Sequence, residues 1–196
     1  IPPSDPRFKE KEFEDFFIHP EIKKPIPIDI YSTNNLASTI KNYFNKHKVD
    51  HYIIFINATE RIASIIKFLG IQDESQVFCA EASVITLKAD ETIAATDNWD
   101  AKKVKKYNFF TSRFFTAFDM KLDFKPNVLI VSDVVKVAFT ALDPETDIIQ
   151  IIGRARNGIN HTAHITNWEA GLESKSPEEI KGFIDGSFQT YNTIRE

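Results

Sequence analysis

The sequence predicts an α/β chain: an open, mostly parallel sheet in three layers, with helices on both faces. Continuous apolar runs such as His51-Tyr-Ile-Ile-Phe-Ile56 and Asn127-Val-Leu-Ile-Val131 carry the first part of that prediction. Strands buried on both faces read this way, whereas half-buried strands alternate. The segments between the runs supply the second part, because their apolar residues recur three and four apart, the stripe of a helix packed on one side. The third is capacity. A chain of 196 residues with 42% hydrophobic and 27% charged content can bury a proper core as one domain.

Residues 1–27 hold six prolines (Pro2, Pro3, Pro6, Pro20, Pro25 and Pro27) among alternating charges and aromatics. They read as an irregular arm or interdomain connector, with one short helix expected around Lys11–Phe17. The regular pattern starts with a strand at Ile28–Tyr31. Ser32-Thr33 then offers a cap for a helix that turns Leu36, Ile40, Tyr43 and Phe44 to one side. After the run at 51–56, Asn57-Ala58-Thr59 leads into a helix with Ile62, Ile65, Ile66 and Leu69 inward, closed by Gly70. Val77–Ala80 is the next strand. Glu81–Asp100 has no clean period, and short strands or loops are expected there. A basic run at Lys102–Lys106 precedes a strand at Asn108–Thr111, and Asn127–Val131 follows, ending in Ser132-Asp133. Asp143 can cap a helix with Pro144 first and Glu145 in its first turn, carrying Ile148, Ile149 and Ile152 onward to Gly158. His161–Thr166 is the last strand. A final helix opens Ser176-Pro177-Glu178-Glu179, a capping-box signature, and presents Ile180, Phe183, Ile184, Phe188 and Tyr191 inward.

Composition removes several function classes. The formal charge of -4 offers no global attraction to nucleic acid, so such a surface has to be local. The one cysteine, Cys79, excludes a disulfide framework and a cysteine-rich zinc site, and a buried inert thiol is its expected state. His161 and His164 alternate on a strand without a third ligand at sequence spacing, so no metal site is expected. No apolar run approaches a membrane span and no signal peptide opens the chain, which makes the cytoplasm the default compartment. The start at Ile1-Pro2-Pro3 is expected to belong to a piece of something longer or to a processed product.

Open α/β sheets bind ligands at the carboxyl ends of their strands. No G-x-x-x-x-G-K-[ST] and no G-x-G-x-x-G occurs, so the six glycines build no phosphate loop and no dinucleotide fingerprint. What stands out is Gln150-Ile-Ile-Gly153-Arg154-Ala-Arg156. Guanidinium forks suit polyphosphate oxygens, and an arginine supplied across an interface can stabilise charge developing at a γ-phosphate.

That stretch resembles motif VI of superfamily 2 helicases, roughly Q-x-x-G-R-x-x-R. Phe110-Thr111-Ser112 with Ala117-Phe118-Asp119 resembles motif V, a Thr/Ser followed by G-x-D. Phe55-Ile56-Asn57-Ala58-Thr59 resembles motif IV. The resemblance covers about residues 28–166 and implies the second RecA-like lobe, of P-loop NTPase type without its own phosphate loop, with residues 28–196 as that domain. It implies Arg154 and Arg156 as arginine fingers. Gln150, Gly153 and Asp119 would then lie at the nucleotide, with Asp119 orienting the ribose or motif VI. Asn57, Thr59, Thr111, Ser112 and Arg113 would grip the DNA or RNA backbone. Asn57 or Thr59 can equally be a plain helix cap, and Ser112 and Arg113 part of a capped turn. ATP with Mg2+ would be held mainly by a separate N-terminal RecA-like lobe. Lys102, Lys103, Lys105 and Lys106 could widen the phosphate track, although a solvated lysine run is the plainer reading, and Phe109, Phe110, Phe114, Phe115 and Phe118 are expected in the core.

Two positions depart from the family pattern: Ala117 replaces the motif V glycine, and Asn157 stands where the last arginine of motif VI falls. At about 100° per residue, Gln150, Arg154 and Asn157 share a helical face and Arg156 points elsewhere. Arg154 is therefore the expected finger. The alternative is a non-enzymatic helicase-like module for nucleic-acid binding or protein interaction.

Overall fold

The structure is a computed structural model that describes residues 27–115, 118–144 and 146–168, together with residues 176, 178, 179, 181, 182, 185, 186, 189 and 193. The proline-rich arm over 1–26, the Ala117 position and the inward set expected of the last helix lie outside the described residues.

Among the described residues, seven strands form one sheet in the order β1-β7-β6-β2-β5-β3-β4, and every neighbouring pair is parallel. They are β1 (Asp29–Ser32), β2 (Tyr52–Phe55), β3 (Ser75–Phe78), β4 (Ala95–Thr96), β5 (Tyr107–Phe110), β6 (Asn127–Ser132) and β7 (His161–Thr166). The α-helices between these strands are α1 (Leu36–Lys46), α2 (Thr59–Leu69), α3 (Glu81–Lys88) and α4 (Asp147–Ile152).

Strand period two sorts the core into two layers. Tyr52, Ile54 and Ile56 with Leu129 and Val131 face α1, α2 and α3, meeting Ile40, Tyr43, Ile62, Ile66, Val84 and Leu87. Ile53, Phe55, Val128 and Ile130 face the other way, against Ile148, Ile151 and Ile152 of α4 and against Phe114, Phe115, Met120 and Leu122. This is the three-layer α/β architecture expected, consistent with a RecA-like open-sheet fold, and parallel throughout the described strands. The continuous apolar runs follow from it, since both faces of β2 and β6 are covered.

Several local expectations shift. α1 is capped by Asn35, whose side chain accepts from the Ser38 N–H, two residues beyond the Ser32-Thr33 pair. The unreadable segment holds α3 and β4; only Val84 and Leu87 of α3 are buried, too few to print a helical period. α4 starts at Asp147 rather than beside Asp143, buries Ile151 where Ile149 was expected, and stops at Ile152. The Ser176 capping box is formed: the Glu179 N–H donates to Ser176 Oγ and the Ser176 N–H to Glu179 Oε2. Gly70 closes α2 with φ +65°.

Cys79 is buried and its thiol is pushed up to about 11, chiefly by burial, which leaves it unreactive. No helix among the described residues is long and apolar enough to cross a membrane.

Candidate functional site

Topology singles out the gap between β6 and β2. From β2 the chain leaves through α2 over one face of the sheet towards β3, whereas from β6 it leaves through α4 over the other face towards β7. Connections that diverge in this way open a crevice at the carboxyl ends of the two strands. Asn57 follows β2 there and spans the gap: its Oδ1 accepts from the Ser112 N–H at 3.2 Å and its Nδ2 donates to the Phe139 carbonyl at 3.4 Å. Asn57 thus ties the ends of β5, β2 and β6 together and does not cap α2. The cap is Ala58, with no side-chain bond, so neither Asn57 nor Thr59 fills the plain-cap role. Thr59 donates to Ser83 Oγ at 3.2 Å, joining α2 to α3. Glu60 occupies the first turn of α2, where it complements the helix dipole.

Thr111 is buried, while Ser112 and Arg113 are exposed in a single 3-10 turn. Arg113 lies over the Phe114 ring, 6.0 Å from its centroid. Behind Asn57, Arg61 on α2 pairs with Asp133 at the end of β6. The Asp133 side chain is only 1% exposed and its backbone N–H donates to Thr140 Oγ1 at 2.7 Å. This pair shapes a crevice of about 450 Å³ lined also by Asn34, Asn35, Lys136 and Asn167. Sequence reasoning passed over Arg61 and Asp133. A signal was present: Ser132, followed by Ala141-Leu142-Asp143, repeats the Thr/Ser and G-x-D pattern read at Thr111 and Asp119. It does so on the strand that directly precedes Gln150.

Gln150, Gly153, Arg154 and Arg156 stand elsewhere, in the layer over the α4 face. Because α4 ends at Ile152, Arg154 and Asn157 are not on a helical face with Gln150; the chain turns away after Gly153. Ala155 makes an isolated parallel bridge with Met120, in which the Met120 N–H donates to the Arg154 carbonyl at 2.9 Å and the Arg156 N–H to the Met120 carbonyl at 3.1 Å. Met120 is fully buried, and its anchorage pulls the segment off the helix axis. Asn157 donates to the Leu122 carbonyl, and Gly158, at φ +90°, turns the chain into β7 in a backbone region that favours glycine. Gly153 is right-handed, and a Cβ there would crowd the Ile149 carbonyl at 3.3 Å.

The two arginines have opposite surroundings. Arg154 is 16% exposed; its Nε donates to the Gln150 carbonyl at 2.9 Å and its Nη1 to the Phe118 carbonyl at 3.0 Å. Arg156 is 49% exposed and donates to Asp119 Oδ1 through Nε at 2.8 Å and through Nη2 at 2.7 Å. The hydrogen bond from Arg156 holds the Asp119 carboxyl below the usual carboxylate range. Gln150 is exposed.

The basic run does not form one patch. Lys103 reaches Thr96 at the carboxyl end of β4, while Lys105 donates to the Asp73 carbonyl and Lys106 pairs with Glu74, both ahead of β3. The second pair therefore sits at the amino edge of the sheet, opposite Asn57. Phe109, Phe110, Phe114 and Phe115 are buried and Phe118 packs against them. His164 faces Ser132 Oγ at 3.0 Å, while His161 turns to other partners, described below.

No protein-family model matches this sequence, and no curated protein matches it.

Proposed function

We propose that the chain is the second motor lobe of an ATP-dependent DNA or RNA helicase or translocase. It works against a separate N-terminal RecA-like lobe that holds ATP with Mg2+. The observation that carries the reading is the Gln150–Arg156 run, which leaves the helix directly after the switch-point strand β6 and presents a half-exposed guanidinium at Arg156.

Only part of an ATP site is supplied by this chain. It lacks a glycine-rich phosphate loop, and its contribution is positive charge aimed outward from the α4 layer. Within this reading Arg156 is the better finger, because its carboxylate partner is itself exposed and a γ-phosphate can compete with it. Arg154 would have to abandon two backbone carbonyls, so it serves to hold the loop. On the nucleic-acid side, exposed Ser112 and Arg113 with Asn57 offer donors at the carboxyl edge, where backbone phosphates would run.

One observation favours a non-enzymatic module instead: both arginines are already satisfied within the chain. ATP hydrolysis by the full-length polypeptide, with and without nucleic acid, separates the two. Arg156→Ala is expected to lower kcat by roughly 10³-fold or more with nucleic-acid affinity retained. A polypeptide that hydrolyses no ATP under either condition overturns the motor reading.

A further inference from the structure

The amino edge of the sheet carries a cluster that the motor reading does not use. His161 opens β7, Asp29 opens the neighbouring edge strand β1, and His47 ends α1, whose chain direction brings it back to the same edge. One ligand atom from each of the three lies within 4.8 Å of the others. His161 Nε2 is 3.1 Å from Asp29 Oδ2. The His47 and His161 rings stack with centroids 4.2 Å apart.

We propose that Asp29, His47 and His161 form a binding site for a divalent transition-metal ion of the zinc class. Zinc takes imidazole nitrogens and carboxylate oxygens at about 2.0–2.2 Å, which sets neighbouring ligands roughly 3.3 Å apart in a tetrahedron. The His161–Asp29 separation already has that size. His47 must close the rest by side-chain rotation. Its backbone is held, with the N–H donating to the Tyr43 carbonyl at 2.9 Å and the carbonyl accepting from Tyr52 Oη at 2.8 Å, while its side chain is half-buried at the end of α1. Its ring has to rotate out of the stack so that a nitrogen points at the ion.

The surroundings supply the outer contacts that metal-bound imidazoles use. Tyr43 Oη stands 3.0 Å from His161 Nδ1, which orients that ring and leaves Nε2 to the ion. Tyr31 Oη stands 3.4 Å from His47 Nε2, so Nδ1 is the ring nitrogen outside that contact and the one the rotated ring would offer to the ion. Three protein ligands leave one position for water or a further ligand. A bound ion would add a further tie between the four-residue edge strand β1, β7 and the end of α1, which are joined here by the β1–β7 pairing, the Asp29–His161 contact, the two tyrosine–imidazole contacts and ring packing.

The test is Zn2+ titration of the 196-residue chain by calorimetry, with Co2+ absorption as the reporter of coordination. One ion per chain and the visible bands of a four-coordinate cobalt site are expected. His47→Ala and His161→Ala should each weaken binding at least about 10-fold, while His51→Ala and His164→Ala leave it unchanged. Zn2+ should raise the thermal midpoint of the wild-type chain and not that of His47→Ala. Because His47 is half-buried at a helix end, that variant carries the test if His161→Ala does not fold. Equal affinity in wild type and His47→Ala, or equal loss in His51→Ala, overturns the proposal.

Discussion

Replacing Arg154 by alanine should destabilise the chain, whereas the same change at Arg156 should not. The difference follows from where each guanidinium goes. Arg154 makes two bonds, at 2.9 and 3.0 Å, to backbone carbonyls, one of them left over at the end of α4. Hydrogen bonds from a charged group are worth about 1.5–3 kcal/mol each. With 16% of the side chain exposed, water recovers part of that when the group is removed. A net cost of about 2–3 kcal/mol is expected, taking the low end of the range for two bonds. In a chain of this size each kcal/mol moves the thermal midpoint by about 2–4 °C, so Arg154→Ala should melt roughly 4–12 °C lower. The opening should be local first: the Met120 and Arg156 amides, which close the bridge to Ala155, should exchange faster with solvent. Arg156 contacts an exposed carboxylate, and its removal should leave the midpoint unresolved from wild type. Thermal melts and amide exchange of the two variants decide the matter. An Arg154→Ala midpoint equal to wild type, or a larger loss in Arg156→Ala, would refute the division of roles.

The Arg61–Asp133 pair behind Asn57 should be structural. Arg61→Leu strands a fully buried carboxylate and should cost about 3 kcal/mol in urea unfolding, and adding Asp133→Asn should recover much of it. A single-variant loss that the second change does not reduce would show that the pair is uncoupled. His164 should contribute to acid sensitivity. Burial holds its imidazole below the ordinary 6.5, so the unfolded chain binds the proton more readily. Its share of stability should fall as pH drops through the ordinary value and level off below the native one. His164→Gln should therefore flatten the urea midpoint between about pH 8 and pH 5, and an unchanged slope would contradict this.

The layered core was legible because burial on both faces leaves an unbroken apolar run, and β2 and β6 each print one. The helix stripes of α1 and α2 were legible for the complementary reason, that one-sided burial repeats with the helical turn. α3 escaped because two buried residues are too few to show a period, and β4 because a two-residue strand has no pattern of its own.

The site was legible as residue types and not as geometry. Gln150, Gly153, Arg154 and Arg156 stand out in any reading of the chain, yet extending α4 through them put Arg154 on the wrong footing. The end of a short helix is decided by what the next residues meet, and here buried Met120 captures the backbone of Ala155. Partners distant in sequence were beyond reach for the same reason. Arg61 meets Asp133, and Asp29 meets His47 and His161, only once the folded sheet brings strand and helix ends to one edge or the other, and Arg156 meets Asp119 only across the Met120–Ala155 bridge in the α4 layer. The sequence by itself determined the layers, the faces and the arginine-bearing segment, because these follow from local pattern. Which guanidinium is shielded, which one meets the carboxylate and which histidines converge were decided by the tertiary structure, because long-range pairing leaves no period in the chain.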